Sequence, residues 1–344
     1  MKTKWVLIAL ILSILIPVTA NAVSQSAVIF LLIEPSSRAG AMGSAYVAQV
    51  DDAYAGYWNP GALAFNRKDQ FAWMHTNWLG DVSDINDMYY EYVGWNKYYE
   101  DIGNIGFNMI FMTYGEQEEY DSEGNYQGTF SSWEAAPAIS YGYQLNPKTG
   151  LGITFKFIYS DLAPEGQGQT ESGVKGRGMS YAFDFGVKRK DMFINGLDAG
   201  LNLQNVGPNI TYINESQSDQ LPMNWRMGIS YRALESQMNK FTINADFNKV
   251  LATDNDDTFY ERLFTAWGGD APIYNCGAEY VYLDLLSLRT GYIYDEAGSI
   301  DGFSFGGGIH YTFSEKYKLS IDFAMQPAGE LTDYNKTFSA KLEF

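Results

Sequence analysis

Hydrophobic and polar residues alternate with a period of two along most of the chain, from about residue 100 to its end. In the segment 317–325 every second side chain is large and apolar, namely Tyr317, Leu319, Ile321, Phe323 and Met325. The residues between them are Lys318, Ser320, Asp322 and Ala324. Because successive side chains of a β-strand point to opposite faces, this period predicts strands with one apolar and one polar face.

About fourteen such segments follow one another. They lie near residues 70–78, 87–96, 104–114, 134–145, 150–160, 178–188, 197–205, 225–233, 240–248, 272–283, 286–295, 302–313, 317–326 and 335–344, and the first two alternate least regularly. Connections after even-numbered segments are mostly short, whereas several after odd-numbered ones are long: 115–133, 161–177, 206–224 and 249–272. Short periplasmic turns and long external loops are typical of transmembrane β-barrels, and an even strand number places both chain ends on the periplasmic side.

Three features favour a membrane barrel over a soluble β-sandwich, which would also alternate. The apolar faces begin or end in aromatic residues, as a girdle at the membrane interface requires. The polar faces carry charges within strands, as a wet lumen allows: Lys156, Asp184, Arg226, Asp246, Glu279, Arg289 and Asp322. The chain ends with Phe338, Leu342 and Phe344 on one face, which resembles the C-terminal signal read by the barrel-assembly machinery. We therefore predict an all-β protein, a transmembrane antiparallel β-barrel in contact with outer-membrane lipid.

The first 69 residues do not follow this pattern. Lys2 and Lys4, the apolar stretch 5–18 and the small residues at 20–22 predict a signal peptide over 1–22. The stretch 23–69 is rich in Gly, Ala and Pro, too apolar for a free tail and too short for a domain. We predict that it is a hatch, an N-terminal plug inside or under the barrel, which itself occupies 70–344.

Composition narrows the choice of partners. The chain carries 41 acidic and 23 basic residues, a formal net charge of −18, which becomes −20 when the two lysines of the signal peptide are removed (−18 − 2). Nucleic-acid binding needs clustered Lys and Arg, so this balance argues against it. Beyond the signal peptide there is no apolar run of about 18 residues, so no helix is predicted to cross the membrane.

Candidate chemistry is sparse, and the sequence predicts neither an enzyme nor a cofactor or metal site. The two histidines are His75 and His310, and His310 lies on a polar strand face, where a hydrogen-bonding role is favoured over a general base. Cys276 lies on an apolar face and is expected to be a buried small hydrophobic residue. The acidic run 254–257 offers oxygen ligands for calcium, but it lacks the Gly and distal Glu of an EF-hand loop, so a solvated loop is favoured.

Several motifs together resemble one family of bacterial outer-membrane proteins. They are the run FLLIEPSSRAGAMG at 30–43, Asp51-Asp52, the run WNPGAL at 58–63, LQNVGP at 203–208, WRMG at 225–228, GAEY at 277–280 and LRTGY at 288–292. This combination is similar to the PorV/PorQ family, within the broader group of barrels that resemble the FadL long-chain fatty-acid transporter. The similarity covers nearly the whole chain after the signal peptide.

The resemblance implies a fourteen-stranded barrel with a hatch and a role in type IX secretion, in which cargo with C-terminal signal domains is received at the translocon. It marks Asp51, Asp52, Trp58, Asn59, Pro60 and Gly61 as the hatch motif, since Asn59-Pro60-Gly61 is similar to the Asn-Pro-Ala element of FadL hatches. The alternative is a FadL-like transporter of hydrophobic small molecules, and a third hypothesis is a surface-structural barrel. The apolar inward positions Ile110, Met112 and Ile158 fit either a ligand pocket or packing against the hatch.

Overall fold

A computed structural model describes residues 26–78, 87–121, 123–163, 176–212, 218–253, 257–314, 316–329 and 332–344. The predicted signal peptide, and residues 254–256 of the acidic run considered for calcium, lie outside these ranges. Within them, no helix is long and apolar enough to cross a membrane.

Fourteen long strands form one antiparallel sheet that closes on itself. They are β1 Gln70–Asn77, β2 Met88–Tyr99, β3 Gly103–Tyr120, β4 Tyr126–Asn146, β5 Thr149–Ala163, β6 Gly176–Arg189, β7 Leu197–Val206, β8 Asn224–Glu235, β9 Asn239–Val250, β10 Ile273–Tyr282, β11 Leu286–Asp295, β12 Ile300–Thr312, β13 Lys318–Pro327 and β14 Tyr334–Glu343. Each strand pairs with the next, and β1 pairs with β14 from Gln70↔Glu343 to Thr76↔Thr337. The predicted barrel of about fourteen strands is confirmed, including the two segments that alternate least regularly.

The alternation works as expected in the wall. Inward side chains are buried, while outward ones such as Phe155, Phe157, Phe303 and Phe305 are exposed over the whole circumference. A soluble protein rarely exposes a continuous apolar belt of this size, because water contact with apolar surface is unfavourable. The belt is therefore a lipid-facing surface, and Cys276 lies exposed on it.

The predicted long loop at 115–133 is wrong. β3 and β4 continue as a paired hairpin to Tyr120 and Tyr126, with a register shift next to Gly115, whose φ is 74°. Asp121 closes the hairpin by accepting the backbone N–H groups of Glu123 and Asn125 at 2.9 and 2.8 Å. The hairpin, here called the β3–β4 arm, projects beyond the paired end of β2 by roughly 15–20 Å. Most of its residues are polar on both faces, so the sequence lacks the regular alternation that marks a half-buried strand.

Residues 26–69 lie inside the barrel as a series of short turns. They comprise a 3₁₀ turn Ile29–Leu32 and the helices α1 Ser37–Ala41, α2 Ala55–Trp58 and α3 Pro60–Leu63. α1 contacts β11 to β14, whereas α3 contacts β3 to β6, so the segment spans the lumen from one wall to the other. We refer to residues 26–69 as the hatch.

Candidate functional site: the hatch and its seat

Asn59 connects the hatch to itself and to the barrel. Its side-chain oxygen accepts the N–H of Gly61 at 3.0 Å and caps α3, which begins with Pro60. Its amide nitrogen donates to the carbonyl of Val47 at 2.9 Å and to that of Val187 on β6 at 3.0 Å. The Asn-Pro-Gly part of the predicted hatch motif therefore lies at a junction of hatch and wall.

At several positions where the barrel wall comes very close to the hatch, the wall residue is a glycine. A Cβ on Gly152 would lie 2.1 Å from the carbonyl carbon of Pro60, and one on Gly186 would lie 2.5 Å from the side-chain oxygen of Asn59. Wall glycines on seven strands would place a Cβ within 2.6 Å of a hatch atom: Gly142, Gly150, Gly152, Gly186, Gly200, Gly277, Gly291 and Gly306. We call this set the glycine seat. From the sequence alone, a glycine within a strand indicates either a sharp bend or close approach of another backbone segment.

Polar side chains of the wall donate to hatch carbonyls that have no partner in a regular helix. Asn202 donates to Trp58 at 2.9 Å and Gln204 donates to Tyr57 at 2.8 Å. Further bonds of this type join Thr154 to Gly56, Asn275 to Gly43 and Ser304 to Ala41. Since short helices leave most of their carbonyls unpaired, these donors satisfy groups whose burial would otherwise be costly.

A chain of ion pairs also holds the hatch. Arg38 donates to Glu279 through Nε at 2.8 Å and through Nη2 at 2.7 Å, and Arg289 joins Glu279 to Asp322 at 2.7 and 2.6 Å. Arg38 also contacts Asp51 at 2.7 Å. Burial disfavours the charged form of Arg38, but the carboxylates of Asp51 and Glu279 outweigh it, so the pKa of Arg38 is raised above its ordinary value.

The remaining residues of the hatch motif have distinct surroundings. Asp52 is buried, accepts a hydrogen bond from Lys341 at 3.0 Å and accepts the N–H of Tyr54 at 3.1 Å. Trp58 is buried, donates through its ring nitrogen to the carbonyl of Pro35 at 2.7 Å and stacks beneath the guanidinium of Arg226 at 4.5 Å. Asp51 is instead largely exposed. Five of the six motif residues are therefore buried, and they contact other residues of the hatch or the barrel wall.

Two further wall residues bind the hatch at positions that the sequence does not pair. Asp246 of β9 accepts the N–H groups of Tyr46 and Val47 at 2.7 and 2.8 Å, and Arg226 of β8 binds Glu34. Asp246 and Arg226 are charged residues on the polar faces of strands, and this is the feature by which the sequence marks them. Their partners lie about 200 positions away in sequence, where no local pattern points to them.

The apolar inward residues pack against the hatch. Ile110, Met112 and Ile158 form one buried cluster with Phe30 and Leu31 of the 3₁₀ turn. A cavity of about 440 Å³ lies below the hatch at the short-turn end of the barrel, and charged side chains dominate its lining, among them Arg38, Lys188, Arg232, Asp198, Asp322 and Lys341. We call it the polar vestibule. Its lining suits water and ions better than an apolar solute.

The remaining candidate residues do not form a reactive site. His310 contacts Ser320 at 2.9 Å and Ser287 at 3.1 Å, as expected for a hydrogen-bonding residue of the lumen. Among the described residues there is no group of three or more His, Cys, Asp and Glu that could hold a metal ion. At the chain end, the side chains of Phe338 and Phe344 are exposed on the outer surface. The N–H of Phe344 donates to the backbone carbonyl of Asp69 at 2.9 Å.

Comparison with known proteins agrees with this geometry. A family model described as type IX secretion system protein PorV matches residues 17–257. The toluene transporter TodX of Pseudomonas putida superposes with a TM-score of 0.54 at 11% identity, over 89% of this chain and 95% of that chain. The monoaromatic hydrocarbon channel CymD gives 0.53 at 13% identity, over 94% and 98%. A TodX deltaS2S3 mutant gives 0.59 at 13% identity, over 90% and 98%. No curated protein sequence matches the chain.

The lipid-facing belt and the hatch define an outer-membrane β-barrel, whose fold is similar to that of the channels TodX and CymD. Because the family match covers more than half of the chain, this protein belongs to the type IX secretion system PorV family. The family expected from the sequence motifs is confirmed. It is a family of secretion barrels, and the similarity to solved channels, all well below 25% identity, shows the shared fold alone.

Proposed function

We propose that this barrel acts in type IX secretion as a docking component, which binds translocon partners and cargo with its external surface while its lumen stays closed. Family membership supports the secretion role. The external loops and the β3–β4 arm are the parts available to partners. The last strand ends at the short-turn end, which we assign to the periplasm. The first described residues lie at the opposite end, where the N–H of Ala27 donates to the carbonyl of Gln220 in the long connection between β7 and β8 at 3.0 Å. The C-terminal residues Phe338, Leu342 and Phe344 serve insertion by the barrel-assembly machinery.

The observation that carries this proposal is the fit of the hatch. Wall glycines allow backbone contact with the hatch, the Arg38–Glu279 ion pair joins it to β10, and Phe30 and Leu31 pack against the apolar residues of the lumen. Moving the hatch would leave buried donors and carboxylates without partners, each at a cost of about 1–3 kcal/mol. A closed lumen of this kind favours work at the outer surface over conduction.

The second candidate is transport of a hydrophobic small molecule, which the fold shared with the channels TodX and CymD favours. In that case the hatch must shift around Asn59 to open a path from the external side to the polar vestibule. The two candidates therefore differ in whether the protein needs a mobile hatch.

A reversible lock on the hatch tests this difference. Ser37 of α1 and Thr337 of β14 are buried with their hydroxyl oxygens 3.1 Å apart, so cysteines at both positions are placed to form a disulfide. The pair Ser37→Cys and Thr337→Cys is introduced with Cys276→Ser, and Thr337→Cys with Cys276→Ser is the matched control. Surface delivery of cargo with a C-terminal signal domain and uptake of a labelled fatty acid are measured before and after oxidation.

For a docking component, deletion of the protein abolishes cargo delivery, whereas the oxidised lock leaves it at the level of the control. If the lock stops fatty-acid uptake and reduction restores it, transport is the function of the lumen. If the lock stops cargo delivery, the closed-lumen proposal is wrong. A mild-detergent pull-down with mass spectrometry of proteins and lipids then identifies the bound translocon, cargo or apolar ligand.

A further inference from the structure

The connection between β9 and β10 folds back over the outside of the barrel. Within it, residues 257–268 contain the helix α4 Arg262–Thr265 and a 3₁₀ turn Ala266–Gly268. Leu263 packs against a small buried cluster formed by Met223, Leu251 and Ala266, and Leu203, Val206 and Trp225 of β7 and β8 pack against the same cluster. The rings of Trp225 and Trp267 meet edge to face with centroids 5.9 Å apart. We call residues 257–268 the saddle.

The side of the saddle that faces the protein is fixed by a buried arginine. Arg262 donates to the carbonyl of Leu221 at 2.9 Å and to that of Leu251 at 3.3 Å. Burial lowers the pKa of Arg262 to about 10, so the residue remains charged at neutral pH while held by backbone oxygens. The helix start is fixed as well, because Glu261 accepts the N–H of Thr258 at 2.9 Å.

The connection also covers a charge on the outer wall. Asp246 and Asn248 of β9 face the lumen, so Lys249 between Asn248 and the strand end points outward, where a strand side chain would meet lipid. Lys249 is only 2% exposed, and its ammonium donates to the carbonyl of Asp270. A bare lysine on the lipid face of a barrel is unfavourable. The connection therefore covers Lys249, and the outer surface at this place consists of side chains of the connection.

The opposite side of the saddle is aromatic. Tyr260, Phe264 and Trp267 follow one another at spacings of four and three residues, which places them on one side of a helical turn. They are 56, 83 and 41% exposed, and Phe259 beside them is also exposed. A phenylalanine left 83% exposed on a helix that is fixed on its other side needs an apolar partner.

The lipid-facing belt of the barrel continues directly into this surface. On β8 the outward residues Ile229 and Tyr231 are exposed and lie in the same column as Trp225, on which Trp267 rests. We propose that the saddle is an interfacial membrane anchor, whose Tyr260, Phe264 and Trp267 enter the outer leaflet beside the barrel. Aromatic residues are favoured at this depth, and an amphipathic turn with one apolar face lies in the plane of the interface.

This inference is independent of the proposed function. It assigns a role to the connection between β9 and β10, which lies beside the end of β7 at Val206 and the start of β8 at Asn224. The connection between β9 and β10 rests on the outside of the barrel, because Trp267 contacts the outward residue Trp225. The anchor would fix the height of this side in the membrane and keep Arg262 and Lys249 away from lipid.

Fluorescence quenching in vesicles tests the proposal with the whole barrel. Phe264→Cys in a Cys276→Ser background is labelled with the environment-sensitive dye NBD and reconstituted into phosphatidylcholine vesicles with and without doxyl-labelled lipid. Ile229→Cys, on the lipid face of β8, is the lipid reference, and Glu123→Cys, at the tip of the β3–β4 arm, is the water reference. Heat-modifiable migration of each variant shows that the barrel is folded.

A membrane anchor predicts that the label at 264 has a blue-shifted emission and at least half of the quenching seen at 229. Emission and quenching equal to those at 123 overturn the proposal. A label that is in water in vesicles but shielded in native membranes also overturns it, because the partner of the saddle is then a protein.

Discussion

Arg38 of the hatch and Glu279 of β10 form a two-point ion pair, with N···O distances of 2.8 and 2.7 Å, although they are 241 positions apart in the chain. Glu279 is almost fully buried and also binds Arg289. Loss of Arg38 leaves part of this carboxylate without a partner. We expect Arg38→Met to destabilise the seated hatch by about 3 kcal/mol, since breaking a buried pair costs more than the pair contributes.

This loss is measured as the protease sensitivity of the hatch and as the free energy of unfolding in detergent. Lys240→Met is the control, because Lys240 pairs with Asp284 at 2.7 Å with both side chains largely exposed. An exposed pair contributes about 0–1 kcal/mol. Equal protease sensitivity in the two variants would contradict a structural role for the Arg38–Glu279 pair.

The glycine seat predicts an effect of a single methyl group. In Gly186→Ala the new Cβ would lie 2.5 Å from Asn59 Oδ1 and 2.6 Å from Pro60 Cδ, so hatch or strand must shift. We expect a loss of about 1–3 kcal/mol in the free energy of unfolding, as for other overpacked sites. In Gly106→Ala, another inward wall position, the nearest atom is Leu63 Cδ1 at 3.4 Å, and little change is expected. An unaltered Gly186→Ala barrel would show that the hatch is loosely seated.

Tyr57 predicts a dependence of stability on alkaline pH. Its hydroxyl donates to the carbonyl of Leu31 at 3.1 Å, and burial raises the pKa of Tyr57 above its ordinary value of 10. In the unfolded chain the phenol ionises near pH 10, whereas in the folded chain it stays neutral. Its contribution to stability is therefore present below about pH 10 and is lost as the pH rises towards the folded pKa, at up to about 1.4 kcal/mol per pH unit.

Urea titrations of the wild type and of Tyr57→Phe between about pH 8 and pH 11 measure this contribution. The variant should lose stability with pH less steeply above pH 10, by up to one proton. Parallel curves for the two proteins would mean that Tyr57 ionises in the folded barrel without penalty.

The last residue predicts an effect on assembly. Phe344 is exposed on the outer surface at the short-turn end, next to the β1–β14 seam. If it belongs to the signal for the barrel-assembly machinery, Phe344→Asp abolishes insertion into the outer membrane. Phe313→Asp is the control, because Phe313 is also an exposed aromatic residue, in the turn after β12. Heat-modifiable migration and protease protection in outer-membrane fractions report assembly, and a normal protected barrel in Phe344→Asp would refute the assignment.

The strands of the wall could be predicted because their evidence is local. Residues two positions apart in a strand point to the same face, so the pattern can be recognised within one segment. It predicted β1 and β2 although their alternation is irregular. The β3–β4 arm was missed for the same reason. Both of its faces are in water, and its strands are held together by cross-strand pairing, such as Glu118↔Thr129, that leaves no periodic trace in the sequence.

The sequence alone determined the barrel class, its strand number, the family and the existence of an N-terminal segment unlike the rest, because period, composition and motif are properties of neighbouring residues. Only the tertiary structure decided how that segment is held. Asp246 meets Tyr46 across 200 positions, Gly186 lies beneath Pro60, and the saddle rests on Trp225. Closure of the sheet creates these contacts: it brings fourteen strands around one lumen, and which of them meets the hatch depends on register and curvature, which no single segment encodes.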